Sequence, residues 1–93
     1  MKKDQLKRVH IKIKGKRHEK ESKTIILKLA RKFKLTGFVS GREGVVEVIA
    51  EGEKVNLFEF LKNYTSINMK SKIKEILFYF KEAENKFTGF SLN

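Results

Sequence analysis

The segment VHIKIK (Val9–Lys14) alternates without a break: Val9, Ile11 and Ile13 fall on one side, and His10, Lys12 and Lys14 on the other. Period-two alternation predicts a strand with one buried face. From Ser22 the period changes. SKTIILKLARKFK places Ile25, Ile26, Leu29, Ala30 and Phe33 on one side of a helix, with Lys28, Arg31 and Lys32 opposite. Ser22 or Thr24 is the expected cap. TGFVS and GVVEVIAEG then read as two strands joined by an SGREG turn, with Gly41 and Gly44 available for the positive φ values of a short hairpin.

A second helix follows. In NLFEFLKNY, Leu57, Phe60, Leu61 and Tyr64 recur at helical spacing, and Asn56 with Glu59 has the spacing of a capping box. INMKSK reads as polar connecting chain. IKEILFYFKE alternates Ile76, Phe78 and Phe80 against Glu75, Leu77 and Tyr79, a fourth strand, and FTGFSL contains a short fifth. The order β-α-β-β-α-β predicts an α+β, ferredoxin-like two-layer sandwich, an antiparallel sheet with two helices on one face. Apolar residues on both sides of the fourth strand raise a homodimer through the open sheet face as an alternative to a monomer. Residues 1–8 read as a basic extension and residues 9–93 as a single domain.

Composition narrows the partners. With 93 residues, 40% of them hydrophobic, the chain suits one small core. It has no cysteine, which excludes disulfides and thiolate metal sites. No apolar run approaches the roughly 20 residues that span a bilayer, and no apolar segment follows the basic N-terminus as in a signal peptide. A soluble cytoplasmic protein without membrane contact is expected. The net charge is +11, and all of the excess lies in residues 1–34, where 14 Lys or Arg face only Asp4, Glu19 and Glu21; residues 35–93 balance at 8 and 8. Such asymmetry suits an anionic partner, phosphate, a nucleic-acid backbone or an acidic protein surface, with a Lys-rich solvated face as the alternative.

The densest charge lies in GKRHEKESK (Gly15–Lys23), between the first strand and the first helix. A strand-to-helix junction offers free backbone N–H groups and the positive end of a helix dipole to an anion. Gly15, Lys16, Arg17, His18, Lys20 and Lys23 are therefore the candidate anion-binding residues, with Lys12 and Lys14 extending them as a basic edge. His10 and His18 read as surface histidines rather than metal ligands, since three or four convergent ligands are needed. No metal and no cofactor is expected. Base stacking of the RRM kind is disfavoured, because VHIKIK and VVEVIA carry no aromatic residue. Any nucleic-acid contact would be directed to phosphates and weakly specific.

The ordered set Leu29-Ala30, Leu35-Thr36-Gly37-Phe38-Val39, Gly44, Val46-Glu47, Gly52 and Phe60-Leu61, with a last strand ending near Phe90, resembles the acylphosphatase family from residue 9 to the C-terminus. The resemblance implies hydrolysis of carboxyl-phosphate bonds without metal or organic cofactor. It further implies a G-x-V-Q-G-V-x-F-R loop whose amides and arginine hold phosphate, and a G-W-V-x-N asparagine that orients water. At those positions this chain differs. The arginine falls on Lys23, the asparagine on Gly41 or Ser40, the loop glutamine on His18, the second glycine on Glu19 and the phenylalanine on Ser22.

Lys23 lacks the planar fork of arginine. Gly41 has no side chain to hold water, and Glu19 and Glu21 bring negative charge to an anion site. The resemblance thus implies a degenerate active site. The reading is an inactive anion-binding or interaction domain, with an active or weakly active acylphosphatase and a non-specific nucleic-acid binder as alternatives.

Overall fold

A computed structural model of the chain describes residues 6–67 and 72–93. Residues 1–5 of the expected basic extension and residues 68–71 of the expected polar connection lie outside the described residues. The elements run β1 (Leu6–Gly15), α1 (Glu19–Lys32), β2 (Thr36–Arg42), β3 (Val45–Glu53), α2 (Lys54–Thr65), β4 (Ile73–Glu82) and β5 (Phe90–Leu92). The five strands form one sheet in the order β4-β1-β3-β2-β5. Its first four strands pair antiparallel, the arrangement expected of two interleaved β-α-β units. The sheet is nevertheless mixed, because β5 pairs parallel with β2. β1 begins at Leu6, so residues 6–8 pair with residues 51–53 of β3 instead of forming an extension.

Strand alternation builds the core as expected. Val9, Ile11 and Ile13 of β1 and Val46, Val48 and Ala50 of β3 are buried beneath both helices. Ile26 and Ala30 come down from α1, and Leu57, Phe60, Leu61 and Tyr64 from α2. Among the described residues Phe60 is the largest fully buried side chain. Truncating an aromatic at such a site typically costs about 3–5 kcal/mol.

The helix starts differ from the expected ones. α1 begins at Glu19 with His18 at its N-cap position, so Ser22 and Thr24 lie inside it. Glu19 and Glu21 occupy its first turn, and Arg31 and Lys32 its last. Both placements complement the helix dipole, which is why the helix extends into a segment that reads as a charged loop. Thr24 Oγ1 donates to the Lys20 carbonyl one turn back. Likewise α2 starts at Lys54, and no side chain caps it, so Asn56 and Glu59 form no capping box. The hairpin turn places positive φ at Glu43 (54°) and Gly44 (83°), not at Gly41. Positive φ at both central residues is the primed geometry that matches strand twist.

β1 is flanked by β4 and β3, so Lys12 and Lys14 project from the open face of an interior strand rather than from a basic edge. Lys12 lies 3.7 Å from Glu47, and Lys14 3.8 Å from Glu75. The β1–β4 register puts Ile76, Phe78 and Phe80 opposite Ile13, Ile11 and Val9, on the helix side. The open face instead carries Arg8, His10, Lys12, Lys14, Glu47 and Glu51.

One charged residue of that face is buried. Glu51 is 3% exposed and accepts from Arg8 Nε at 2.8 Å and from the Glu84 and Asn85 amides at 2.7 and 3.0 Å. Arg8 also lies over the Phe87 ring. This cluster clamps the chain between β4 and β5 onto β1 and β3. Burial pushes the Glu51 pKa up, but the Glu84 amide, the Arg8 side chain and the Asn85 amide together lower it below the ordinary glutamate value of 4.5.

A carboxylate with a depressed folded pKa contributes stability that is present above about pH 4.5 and is lost as the pH falls through the folded value. Glu51→Gln is expected to cost about 2–4 kcal/mol at pH 7, where it leaves Arg8 without its charge partner. The penalty should shrink toward pH 3, where wild-type Glu51 is itself protonated. Chemical denaturation of both proteins across pH 3–7 measures this.

Candidate functional site

The site forms where three backbone segments meet: the end of β1, the first turn of α1 and the β2–β3 turn. Gly15 ends β1, and its N–H donates to the Gly44 carbonyl at 2.9 Å. His18 Nε2 lies 2.9 Å from the same carbonyl oxygen. A carbonyl only accepts, so Nε2 donates to it. Nδ1 lies 2.9 Å from Ser22 Oγ, which in turn lies 2.9 Å from the Tyr64 hydroxyl. The chain Tyr64–Ser22–His18–Gly44 thereby gives every buried side-chain polar atom along it a partner.

His18 and Ser22 are fully buried. The expected surface histidine is a core residue, and the expected cap or loop serine is its partner. His18 and Ser22 stand one helical turn apart, an i, i+4 spacing that carries the signal once the helix is begun at residue 19. Tyr64 has its pKa raised, chiefly by burial, with the nearby Glu21 charge adding and the Ser22 hydrogen bond opposing. It therefore stays neutral.

Glu19 completes the junction. Its carboxylate accepts the Gly44 N–H across the gap between α1 and the turn. Its pKa lies below the ordinary 4.5, first because of that Gly44 amide and next because of the amide of Glu19 itself, with smaller contributions from His18, while burial opposes. A carboxylate in the first turn of a helix that also accepts a backbone N–H is favoured in its ionised form.

The other sequence candidates surround this centre without entering it. Lys16, Arg17 and Lys20 are exposed, and Arg17 takes a positive φ of 53° at the loop tip. The Lys16 N–H donates to the Lys72 carbonyl at 2.8 Å. Lys23 is half-buried in the second turn of α1. Lys72 pairs with Glu21 at 2.9 Å, so one of the two glutamates of the segment is neutralised at its rim.

Strand alternation sends Gly41 and Ser40 to opposite faces of the sheet. Gly41 follows the buried Val39 and faces Val46, and so lies on the helix side with the junction; Ser40 faces Glu47 on the open side. A Cβ at residue 41 would lie 2.9 Å from Cγ2 of the fully buried Val46. The hairpin is thus packed around the missing side chain. A separate groove of about 520 Å³ lies at this end of the hairpin, lined by Ser40, Gly41, Arg42, Glu43, Val45, Glu47 and Asn93. No residue of Gly15–Lys23 contributes to it. Among the described residues no group of three or more His, Cys, Asp or Glu converges as a metal site, and no helix is long and apolar enough to cross a membrane.

Ser22→Ala should expose the dependence of the junction on its buried chain. It strands His18 Nδ1 and the Tyr64 hydroxyl, and is expected to cost about 1–3 kcal/mol. Thr24→Ala, at an exposed site in the same helix, should change stability by less than about 0.5 kcal/mol. Urea denaturation of the two variants makes the comparison.

The family model Acylphosphatase matches residues 9–92. No curated protein matches the chain. Among solved structures, acylphosphatase from Bacillus subtilis superposes with a TM-score of 0.81 at 25% identity, over 94% of this chain and 98% of that one. An acylphosphatase from Coxiella burnetii gives a TM-score of 0.83 at 19% identity, over 100% and 98%. Full-length HypF, in its phosphate- and nucleotide-bound form, matches 96% of this chain with only 12% of its own length, at a TM-score of 0.84 and 20% identity. With its strand order, its loop-to-helix junction and a family match over nearly its whole length, this chain belongs to the acylphosphatase family.

Proposed function

We propose that this protein is a non-hydrolytic acylphosphatase-like domain, an interaction module whose phosphate cradle is occupied by its own Glu19 carboxylate. The observation that carries this reading is the hydrogen bond from the Gly44 N–H to Glu19 at the first turn of α1. A phosphate entering the junction would meet a negative charge already drawing on the amides it needs. Displacing that charge means breaking its hydrogen bonds while bringing two anions together.

Three further features support the loss of chemistry. Lys23, in the place of the family's arginine, is a point charge without bidentate geometry. Gly41, in the place of the water-orienting asparagine, has no side chain, and Val46 crowds the space one would need. His18, in the place of the loop glutamine, is buried with both ring nitrogens engaged. One preorganised donor is worth about 10²–10³ in rate, so losing two such groups removes most of an ordinary enhancement. The exposed cations Lys16, Arg17 and Lys20 remain as a rim that attracts anions loosely. A nucleic-acid role gains less from the geometry, since Lys12 and Lys14 each have a glutamate beside them.

Hydrolysis of acetyl phosphate without metal tests the reading. The wild-type chain is expected to leave the spontaneous rate unchanged, and metal-free turnover at rates ordinary for the family would refute it. Glu19→Gly empties the cradle and should tighten inorganic phosphate binding by about tenfold or more, the change expected when a competing like charge is removed. Isothermal titration of both proteins at pH 7 reads that difference.

A further inference from the structure

The sheet has two unequal edges. β5 is three residues long, whereas β4 runs for ten residues and, among the described residues, has no strand on its outer side. Leu77, Phe78 and Tyr79, at its centre, are 49%, 50% and 53% exposed. Long apolar edges are templates for pairing, and proteins commonly blunt them with bulges, proline or scattered charge. β4 pairs with β1 without a break from Glu75 to Glu82, has no proline, and carries its charges only near its ends: Lys74 and Glu75 at one, Lys81 and Glu82 at the other.

The order of those charges is what identifies the partner. Two copies of one strand, related by a twofold axis perpendicular to the sheet, pair antiparallel with residue numbers that sum to an even value. Centring the axis on Phe78 makes the sum 156. Lys74 then faces Glu82, Glu75 faces Lys81, Ile76 faces Phe80, Leu77 faces Tyr79 and Phe78 faces itself. Each unlike pair occurs twice, giving four, and no like charges meet. Moving the axis one residue either way changes the sum by two and sets Lys81 against Ile73 or Leu77, and Glu75 or Glu82 against Tyr79 or Ile76.

The charged ends of β4 also have neighbours within the chain: Glu82 pairs with Lys7 at 2.9 Å and Glu75 lies 3.8 Å from Lys14, so a partner strand would share these carboxylates. Lys81 faces Arg8 across the β1–β4 pair, a like-charge contact that an incoming Glu75 would offset. On the helix side, Phe58 and Phe80 pack edge to face at 5.4 Å, and Phe78 and Phe80 at 6.1 Å. This aromatic row stops at the edge with Phe78 half-exposed, and the same register continues it into the second copy.

We propose that β4 pairs antiparallel with β4 of a second copy of this chain, in the register centred on Phe78, joining two five-stranded sheets into one of ten strands. The contact is distinct from the homodimer expected through the open sheet face, where the charges of Arg8, Lys12, Lys14 and Glu47 would have to be buried. It does not depend on what occupies the cradle.

The chain's lack of cysteine makes the register directly testable. In this dimer two residues 78 lie opposite at a Cα separation of about 4.5–5.5 Å, which suits a disulfide. Two residues 74 are eight positions apart, or about 27 Å. Under mild oxidation Phe78→Cys should form a covalent dimer at least about tenfold faster than Lys74→Cys. Sedimentation of the unmodified chain at about 10–100 µM should show reversible dimer.

Lys81→Glu sets like charges opposite at two positions and should weaken the dimer by about tenfold. Glu75→Lys combined with Lys81→Glu exchanges the partners and should restore it. All four positions are exposed, and circular dichroism confirms that each variant is folded. A chain that stays monomeric at these concentrations, equal cross-linking through residues 74 and 78, or a dimer indifferent to Lys81→Glu would overturn the proposal.

Discussion

The structure depends on how one residue, Gly44, is held. Its carbonyl accepts from the Gly15 N–H and from His18 Nε2, and its N–H is given to the Glu19 carboxylate. Those three bonds tie the end of β1, the first turn of α1 and the β2–β3 turn into one junction. Through His18 the tie runs on to Ser22 and then to Tyr64 of α2, so both helices are referenced to the same backbone atom. Gly44 itself is constrained twice over, since its φ of 83° completes the primed turn and a Cβ there would lie 2.7 Å from the Gly15 carbonyl oxygen. A buried hydrogen-bonded chain of this kind is stable only when every member is satisfied.

At that junction the polar groups face each other. The imidazole is engaged at both nitrogens, the turn amide is taken by Glu19, and Val46 packs against Gly41. On the proposed reading these are the donors that a phosphate would need. The excess positive charge is correspondingly left outside, on Lys16, Arg17 and Lys20 at the rim, while the acidic residues do their work inside or beside the sheet at Glu19, Glu47, Glu51 and Glu75.

Most of the fold was legible in the sequence, and the reasons are physical. The strict alternation of Val9, Ile11 and Ile13 and the helical spacing of Leu57, Phe60, Leu61 and Tyr64 reflect burial against a core, which a local pattern records faithfully. What escaped the pattern was polar. The seven ionisable residues from Gly15 to Lys23 read as a charged junction ahead of a helix beginning at Ser22, yet Glu19 and Glu21 are first-turn residues favoured by the helix dipole. Glu51 carries no mark of burial in sequence, because its partners Arg8, Glu84 and Asn85 are distant along the chain, and His18 carries one only in its i, i+4 spacing to Ser22, which is legible once the helix start is known. The parallel pairing of β5 is likewise a long-range outcome that three residues cannot announce. The mismatch with the family loop was visible, but the contact between Glu19 and the Gly44 N–H was not, because those residues are 25 positions apart.

Amide NMR of the uniformly ¹⁵N-labelled chain titrated with inorganic phosphate at pH 7 tests the occupied cradle most directly, because it observes the Gly44, Glu19 and His18 N–H groups themselves. An occupied cradle predicts that these resonances stay in place while exposed amides near Lys16, Arg17 and Lys20 drift without saturating. Saturable shifts centred on Gly44 and Glu19, showing phosphate taking the amides that Glu19 holds, would contradict it.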